Sequence, residues 1–225
     1  MSLILNIDSS VETASICLSD NGIAVQSAEN NNHKDHSAWL QPAVKQVLET
    51  AGVSLQSLQA IAVSIGPGSY TGLRIGLSTA KGLCYGLKIP LITVNTLEIM
   101  AAAITSDEAD FVCPMIDARR MEVFTALYKK NLEPILPPCA LILQKDTFND
   151  LLVSSKIIFT GNGSDKFQAI TTSANAIFKS IHLHASLLVK FSHNRFHAGE
   201  FADLAYAEPL YIKDFYTTSA KNPGR

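Results

Sequence analysis

The chain has 225 residues, 47% of them apolar, with a formal net charge of −2 and a pI near 6.3. That length can bury a hydrophobic core in one large domain or two small ones, and the charge gives no overall basic field for nucleic acid. No apolar run reaches the roughly 18 residues of a membrane span, and no signal peptide opens the sequence, so we expect a cytoplasmic protein with no membrane partner.

The N-terminal half alternates between strand and helix patterns. In chain order, the apolar residues predict strands at 2–8, 13–18 and 22–28, a helix at 37–51, a strand at 59–65, a helix at 71–87, a strand at 90–94 and a helix from about 96. The Asp20-Asn21-Gly22 stretch is typical of a hairpin turn. The order βββαβαβα predicts an α/β fold in which helices cover a mixed sheet.

The second half of the sequence repeats features of the first. LILNIDSSVETASICL at 3–18 is similar to FVCPMIDARRMEVFTALY at 111–128, with Asp8 and Asp117 in the same place. KIIFTGNGSDKF at 156–167 again reads as strand, glycine loop and helix. We therefore predict two related lobes with a cleft between them. The lobes are assigned to residues 1–106 and 107–225, and we expect the extreme C-terminus to pack back on the first lobe.

The first hairpin has two interpretations. An aspartate at the tip of such a hairpin can hold a hydrated divalent ion below the phosphates of a nucleotide, which would involve Asp8, Ser9 and Ser10. The turn, however, contains no glycine, and Glu12 would repel phosphate. In the alternative interpretation, Asp8 and the two serines cap the hairpin.

SIGPGSYTGLRIG, at 64–76, combines a strand end, a glycine-rich loop and a helix start. Its Gly66, Gly68 and Ser69 could present backbone N–H groups to a phosphate at the helix N-terminus. The spacing nevertheless fits neither GxxxxGK[ST] nor GxGxxG, and Tyr70 would crowd a ligand. The alternative is that the glycines bring two backbone segments close together.

The helix predicted over 71–87 is unusually rich in small residues. Glycine in a helix interior costs about 1 kcal/mol relative to alanine, and Gly76, Gly82 and Gly86 all fall in this helix. A close helix–helix contact would offset that cost, either inside the fold or with another chain. Trp39 and Leu40 on the preceding helix could complete an apolar patch for a partner. Internal packing against the sheet is the alternative.

The histidines do not form a persuasive metal site. His33 and His36 give an HxxH pair near a helix start, but no third ligand stands at a suitable distance. Solvated or capping roles are favoured, and two later histidine pairs have similarly weak claims. We predict no metal and no cofactor.

The turn around 117–120 carries two arginines. Arg119 and Arg120 could contact RNA phosphate or an acidic partner, or they could simply be solvated at a hairpin tip. No serine–histidine–aspartate or cysteine–histidine grouping can be argued from the sequence. We therefore predict no catalytic residues.

Taken together, NIDSSVETASICL, SIGPGSYTGLRIG, MIDARRMEVFTALY, TGNG and the closing PLYIK resemble the TsaB (YeaZ) family of bacterial tRNA threonylcarbamoyladenosine biosynthesis proteins. The resemblance runs in order through most of the chain, except about 130–155 and 168–200. It implies an actin-like ATPase fold with two RNase H-like lobes. Relatives were labelled glycoprotease or M22 peptidase, but nothing in this sequence supports proteolysis.

The resemblance also implies a function. Members are cytoplasmic, non-catalytic partners of the catalytic subunit TsaD, and the ATPase TsaE joins them. Together they transfer a threonylcarbamoyl group to the adenosine beside the anticodon of ANN-decoding tRNAs, so tRNA is reached through the complex. Members form homodimers, and pair with TsaD, through the two N-lobe helices. On this chain the implied partner interface comprises Trp39, Leu40, Val44, Leu73, Ile75, Gly76, Thr79, Gly82 and Gly86.

Two enzymatic alternatives remain open at this point. One is a nucleotide-binding ATPase or kinase-like enzyme of the same fold, for which only TGNG at 160–163 hints at an adenosine pocket. The other, less favoured, is a metallopeptidase.

Overall fold

The computed structural model describes residues 2–32 and 35–213, and its strands and helices from Leu3 to Ala102 follow the predicted order. The strands of the first sheet are β1 (Leu3–Asp8), β2 (Ala14–Asp20), β3 (Ile23–Asn30), β4 (Ala60–Ser64) and β5 (Leu91–Val94). Those of the second sheet are β6 (Phe111–Asp117), β7 (Glu122–Lys129), β8 (Pro134–Ile142), β9 (Ile157–Thr160) and β10 (Ala176–Lys179). The helices are α1 (His36–Thr50), α2 (Tyr70–Leu87), α3 (Thr96–Ala102), α4 (Asn149–Leu152), α5 (Ser164–Gln168) and α6 (Val189–Ala198), with 3₁₀ turns at Leu55–Ser57 and Ala185–Leu188.

The two sheets have the same topology. The first is ordered β3-β2-β1-β4-β5 and the second β8-β7-β6-β9-β10. In each, the central strand is antiparallel to the strand that follows it along the chain and parallel to β4 or β9. Asp8 and Asp117 are the last residues of the two central strands. This arrangement confirms two RNase H-like lobes and the actin-like ATPase fold.

The connection between the lobes lies between the last strand of the first sheet and the first strand of the second. The first sheet ends at Val94 and the second begins at Phe111. The division between residues 106 and 107 stays a prediction.

Helices α1 and α2 pack side by side on one face of the first sheet. Their apolar residues join β1, β2 and β4 in one core cluster. This packing corrects part of the predicted partner interface, because Leu40, Val44, Leu73 and Gly76 are buried inside the lobe. These residues therefore have no surface to offer a second chain.

The opposite face of the first sheet is covered by elements that follow it in the chain. A second core cluster joins Ile4 and Ile92 of the sheet to Leu97 and Met100 of α3 and to Leu188 at the end of the second 3₁₀ turn. The same cluster includes buried residues of β6 and β7. A continuous apolar core therefore joins the first lobe to the second.

Residues 199–213 run back along the first lobe. The Ala202 N–H donates to the Leu91 carbonyl at 2.8 Å, and the Leu210 N–H donates to the Ile65 carbonyl at 2.7 Å. Lys81 of α2 donates to two carbonyls of this segment, at 3.1 and 3.0 Å. The extreme C-terminus, residues 214–225, lies outside the described ranges, so its predicted packing on the first lobe stays a prediction.

The cysteines are free thiols. Cys17, Cys84 and Cys113 are buried, and Cys139 is half-buried. Burial raises the pKa of Cys84 and of Cys113 to about 12, which keeps both thiols protonated and unreactive at neutral pH. The predicted burial of Cys17, Cys84 and Cys113 is therefore confirmed.

Candidate functional site

A cavity of about 790 Å³ opens between the two lobes. The β1–β2 turn and the start of α2 line one side, and the β6–β7 turn and Asn162 line the other. The residues considered for nucleotide or RNA contact that border this inter-lobe cavity are Ser10, Gly68, Ser69 and Arg119, and Ile75 of the predicted partner interface borders it as well. These residues are far apart in the chain but border one cavity, because the β1–β2 turn and the β6–β7 turn each follow the central strand of a sheet.

The glycine-rich loop is packed against the β1–β2 turn. The Ser69 N–H donates to the Ser10 carbonyl at 2.7 Å, and the Ser9 hydroxyl donates to the Gly72 carbonyl at 2.8 Å. A side chain at Gly68 would overlap the Ser10 carbonyl oxygen, and one at Gly72 would overlap the Ser9 carbonyl oxygen. Gly68 and Gly72 therefore allow two backbone segments to meet, as the alternative interpretation of this loop predicted.

Asp8 lies behind the cavity lining and is fully buried. Its Oδ1 accepts hydrogen bonds from the Ser10 N–H at 3.2 Å, from the Ser10 hydroxyl at 2.7 Å and from the Ser64 hydroxyl. Burial raises the pKa of Asp8 above its usual range, although the hydrogen bonds from the two serines lower it in part. The structure thus makes Asp8 and Ser10 a cap of the β1–β2 hairpin.

Three residues considered for nucleotide contact do not reach the cavity. Asp8, Ser9 and Gly66 are buried, and none of them is part of its lining. The prediction is therefore corrected for these three, because a ligand in the inter-lobe cavity could not touch them.

The β6–β7 turn forms the opposite wall. Asp117 Oδ1 accepts from the Lys166 ammonium at 2.6 Å and from the Arg119 N–H at 2.5 Å. Partial burial acts to raise the pKa of Asp117, but the hydrogen bond and charge of Lys166 outweigh it, so the pKa is lowered. Arg119 and Arg120 adopt φ angles of 69° and 50° and are exposed. Within residues 2–32 and 35–213, neither guanidinium forms an ion pair, and their contact with RNA or an acidic partner stays a prediction.

The histidines have structural contacts in the described part of the chain. His36, the first residue of α1, is buried with Nε2 3.0 Å from the Glu12 carbonyl oxygen, whereas His33 lies outside the described residues. His193 and His197, one of the two later pairs, stand at HxxxH spacing on α6, and their rings pack edge to face at 4.5 Å. Among the residues described, no three or more His, Cys, Asp or Glu side chains gather as metal ligands.

The small residues of α2 fall into two groups. Gly76 is buried, and a side chain there would overlap the Ser9 hydroxyl. At Gly82 and Gly86, an added Cβ would have no neighbouring atom within 4 Å, and Tyr85 between them is 81% exposed. Internal packing therefore accounts for Gly76 but leaves Gly82 and Gly86 on an open surface.

Comparisons with known proteins agree with this architecture. Residues 25–207 match the family model described as TsaD, tRNA N6-adenosine threonylcarbamoyltransferase. The chain is 32% identical over 172 residues to the tRNA threonylcarbamoyladenosine biosynthesis protein TsaB of Buchnera aphidicola subsp. Baizongia pistaciae, covering 73% of this chain and 76% of that protein. It is 28% identical over 219 residues to TsaB of Escherichia coli (strain K12), covering 94% of each. The solved structure of YeaZ from Pseudomonas aeruginosa superposes with a TM-score of 0.79 at 28% identity, covering 94% of this chain and 100% of that one.

The fold and the family match together define an actin-like protein of the TsaD-related group. Within that group, the chain belongs to the TsaB (YeaZ) family of tRNA threonylcarbamoyladenosine biosynthesis proteins. None of the helices in the described ranges has the length and apolar character needed to cross a membrane.

The backbone contact at the glycine loop can be tested by adding one methyl group. Replacing Gly72 by alanine should lower the free energy of unfolding by about 1–3 kcal/mol, because the new Cβ overlaps a backbone oxygen that cannot rotate away. Gly82→Ala is the matched control on the same helix and should raise stability by up to about 1 kcal/mol. Urea denaturation followed by circular dichroism measures both, and a Gly72→Ala variant as stable as the parent would contradict the contact.

The buried carboxyl of Asp8 should make the stability of the chain depend on pH. Its pKa is raised in the folded chain, so its contribution to stability is complete below about pH 4 and is lost as pH rises through the folded pKa. Asparagine cannot ionise, so the Asp8→Asn variant should gain stability relative to the parent as pH rises above about 4. Denaturant titrations at several pH values measure this difference.

Asp117→Asn is the control for this experiment. The pKa of Asp117 is lowered, so its contribution is present at neutral pH and is lost as pH falls. The two variants should therefore diverge from the parent in opposite directions with pH. Parallel curves for Asp8→Asn and the parent would rule out a raised pKa.

Proposed function

We propose that the chain is a non-catalytic subunit of the complex that forms threonylcarbamoyladenosine beside the anticodon of ANN-decoding tRNAs. In this role it binds and supports a TsaD-type catalytic subunit, a TsaE-type ATPase joins them, and tRNA is reached through the complex. Support comes from family membership and from the relatives, which are named as biosynthesis proteins for this modified nucleoside. We also propose that the protein works in the cytoplasm.

The open side of α2 is the observation that carries the proposal. Glycine within a helix costs about 1 kcal/mol relative to alanine, and no atom of the described chain fills the space beside Gly82 or Gly86. Tyr85, between them, leaves 81% of its surface exposed. A helix of another chain could lie close to α2 at this point and cover the tyrosine. This contact would offset the cost of the two helical glycines and would bury the exposed tyrosine ring.

The remaining members of the predicted interface extend this surface. Trp39 of α1 and Ile75 and Thr79 of α2 are half-buried, and Gly82 and Gly86 are exposed. On α2 these positions recur at spacings of three and four residues, so they lie along one side of the helix. We define these five residues as the partner face, and we propose that it serves both the TsaD-type subunit and a second copy of this chain.

Sharing one face has a consequence for assembly. A surface occupied by a second copy of the chain is not available to the catalytic subunit, so the homodimer and the heterodimer would compete. The balance between them would then depend on the concentrations of the two proteins.

The contacts made by Asp8 and Ser69 in the first lobe favour an accessory role over catalysis. The carboxylate of Asp8 is enclosed by Ser10 and Ser64, and it has no exposed surface for a hydrated cation. The Ser69 N–H, at the loop where a phosphate would bind, is already bonded to the Ser10 carbonyl. An ATPase would need the Asp8 carboxylate for a cation and the Ser69 N–H for a phosphate. In this chain both groups are instead used in contacts that hold the hairpin and the loop.

A nucleotide-binding enzyme is the second candidate, and the inter-lobe cavity is the observation that favours it. Its volume of about 790 Å³ and its border of Ser10, Ser69 and Arg119 beside the start of α2 suit a phosphorylated ligand. Equilibrium dialysis with ATP and a hydrolysis assay on the isolated chain would separate this candidate from the first.

The partner face is tested by replacing Gly82 with leucine. The added side chain enters open space, so the monomer should stay folded, while self-association and binding to the TsaD-type subunit of the same organism should both weaken at least about tenfold. Light scattering after gel filtration and isothermal titration calorimetry measure the two associations.

Ala198→Leu provides the matched control, since it also adds an exposed leucine to a helix but lies on α6, away from the partner face. It should leave both associations intact. If Gly82→Leu leaves them intact as well, the partner face is wrong.

A further inference from the structure

A second cavity, of about 540 Å³, lies where α3, the connection after it, the β7–β8 turn and α6 meet. It shares no lining residue with the inter-lobe cavity. Three lysines border it, namely Lys129, Lys130 and Lys190. We refer to it as the lysine cavity.

The wall of the lysine cavity is apolar. Ile104, Leu132 and Phe191 belong to its lining, and each is only partly buried against the core cluster that contains Val112. The exposed parts of these three side chains together form one concave apolar surface. Such a wall is typical of small-molecule sites, in which apolar side chains hold the body of a ligand and a few polar groups orient it.

The charged groups at the cavity favour an anion. The Lys130 ammonium is 3.3 Å from Asp107 Oδ1, and the Lys129 ammonium is 2.9 Å from Glu133 Oε1, but these pairs are exposed. Exposed ion pairs contribute only about 0–1 kcal/mol, so a ligand anion can replace either acid at little cost. Lys190 forms no ion pair with any residue in the described ranges. Asp107 is the one acidic residue in the lining, against three lysines.

We propose that the lysine cavity binds a small phosphate monoester whose phosphate is attached to a flat apolar group, of about the size of a nucleoside monophosphate. A phosphate monoester carries a charge of about −1.5 to −2 near pH 7, which suits several ammonium groups better than a single carboxylate does. The apolar wall receives the flat group, and Thr105 and Asn194 in the lining can hydrogen-bond to its polar edge. This site is separate from the partner face and from the function proposed above.

The test is calorimetric titration of AMP, inorganic phosphate and adenosine into the full chain. AMP should bind at least about tenfold more tightly than either fragment, because the site uses both the charge and the apolar wall. Lys130→Gln and Lys190→Gln should each weaken AMP binding about tenfold, since each removes a charged hydrogen-bond donor. Both side chains are at the surface, and circular dichroism would show that the variants stay folded.

Two controls locate the binding. Arg119→Gln alters the inter-lobe cavity, and Lys45→Gln removes an exposed lysine of α1; neither should change AMP affinity. The proposal is overturned if AMP does not bind, if inorganic phosphate or adenosine binds as tightly as AMP, or if both Lys130→Gln and Lys190→Gln keep full affinity. Loss of binding in Arg119→Gln alone would place AMP between the lobes and overturn it too. None of these results affects the partner face, which the Gly82→Leu experiment tests by itself.

Discussion

The contact between the β1–β2 turn and the glycine loop is the constraint on which the first lobe depends. The Ser9 and Ser10 carbonyls lie so close to Gly68 and Gly72 that neither position has room for a side chain. This contact fixes where α2 begins and how it is rotated about its axis. It thereby decides that Gly76 is enclosed while Gly82 and Gly86, farther along the same helix, remain open. The proposed function depends on that rotation.

The second lobe contains a similar contact between a glycine loop and the central strand of its sheet. The Gly163 N–H donates to the Met115 carbonyl at 3.0 Å, and a side chain at Gly161 would overlap the same oxygen. In both lobes, a glycine loop after a strand parallel to the central strand packs against the central strand or its turn. The helices that follow differ, however: α2 has 18 residues and α5 has five. Within residues 2–32 and 35–213, the long helix with an open side therefore belongs to the first lobe.

Much of the fold could be predicted from the sequence because local patterns determine it. The strand and helix order of the first lobe and the Asn21-Gly22 turn follow from periodicity and turn chemistry, and the equivalence of Asp8 and Asp117 follows from the repeat within the sequence. The site was less predictable, because helical periodicity does not say how deeply a residue such as Leu73 is buried, or which glycines meet a backbone. The fit of residues 199–213 along the first lobe depends on long-range contacts, such as Lys81 with the Ala207 carbonyl, that no local pattern encodes.

Reconstitution of the modification reaction tests the central claim most directly. The purified chain would be combined with the TsaD-type and TsaE-type proteins of the same organism, threonylcarbamoyl-adenylate, tRNA and ATP, and the modified adenosine would be measured with and without the chain. An accessory subunit predicts that modification requires the chain and that the chain alone hydrolyses no ATP. Full modification in its absence would contradict the account.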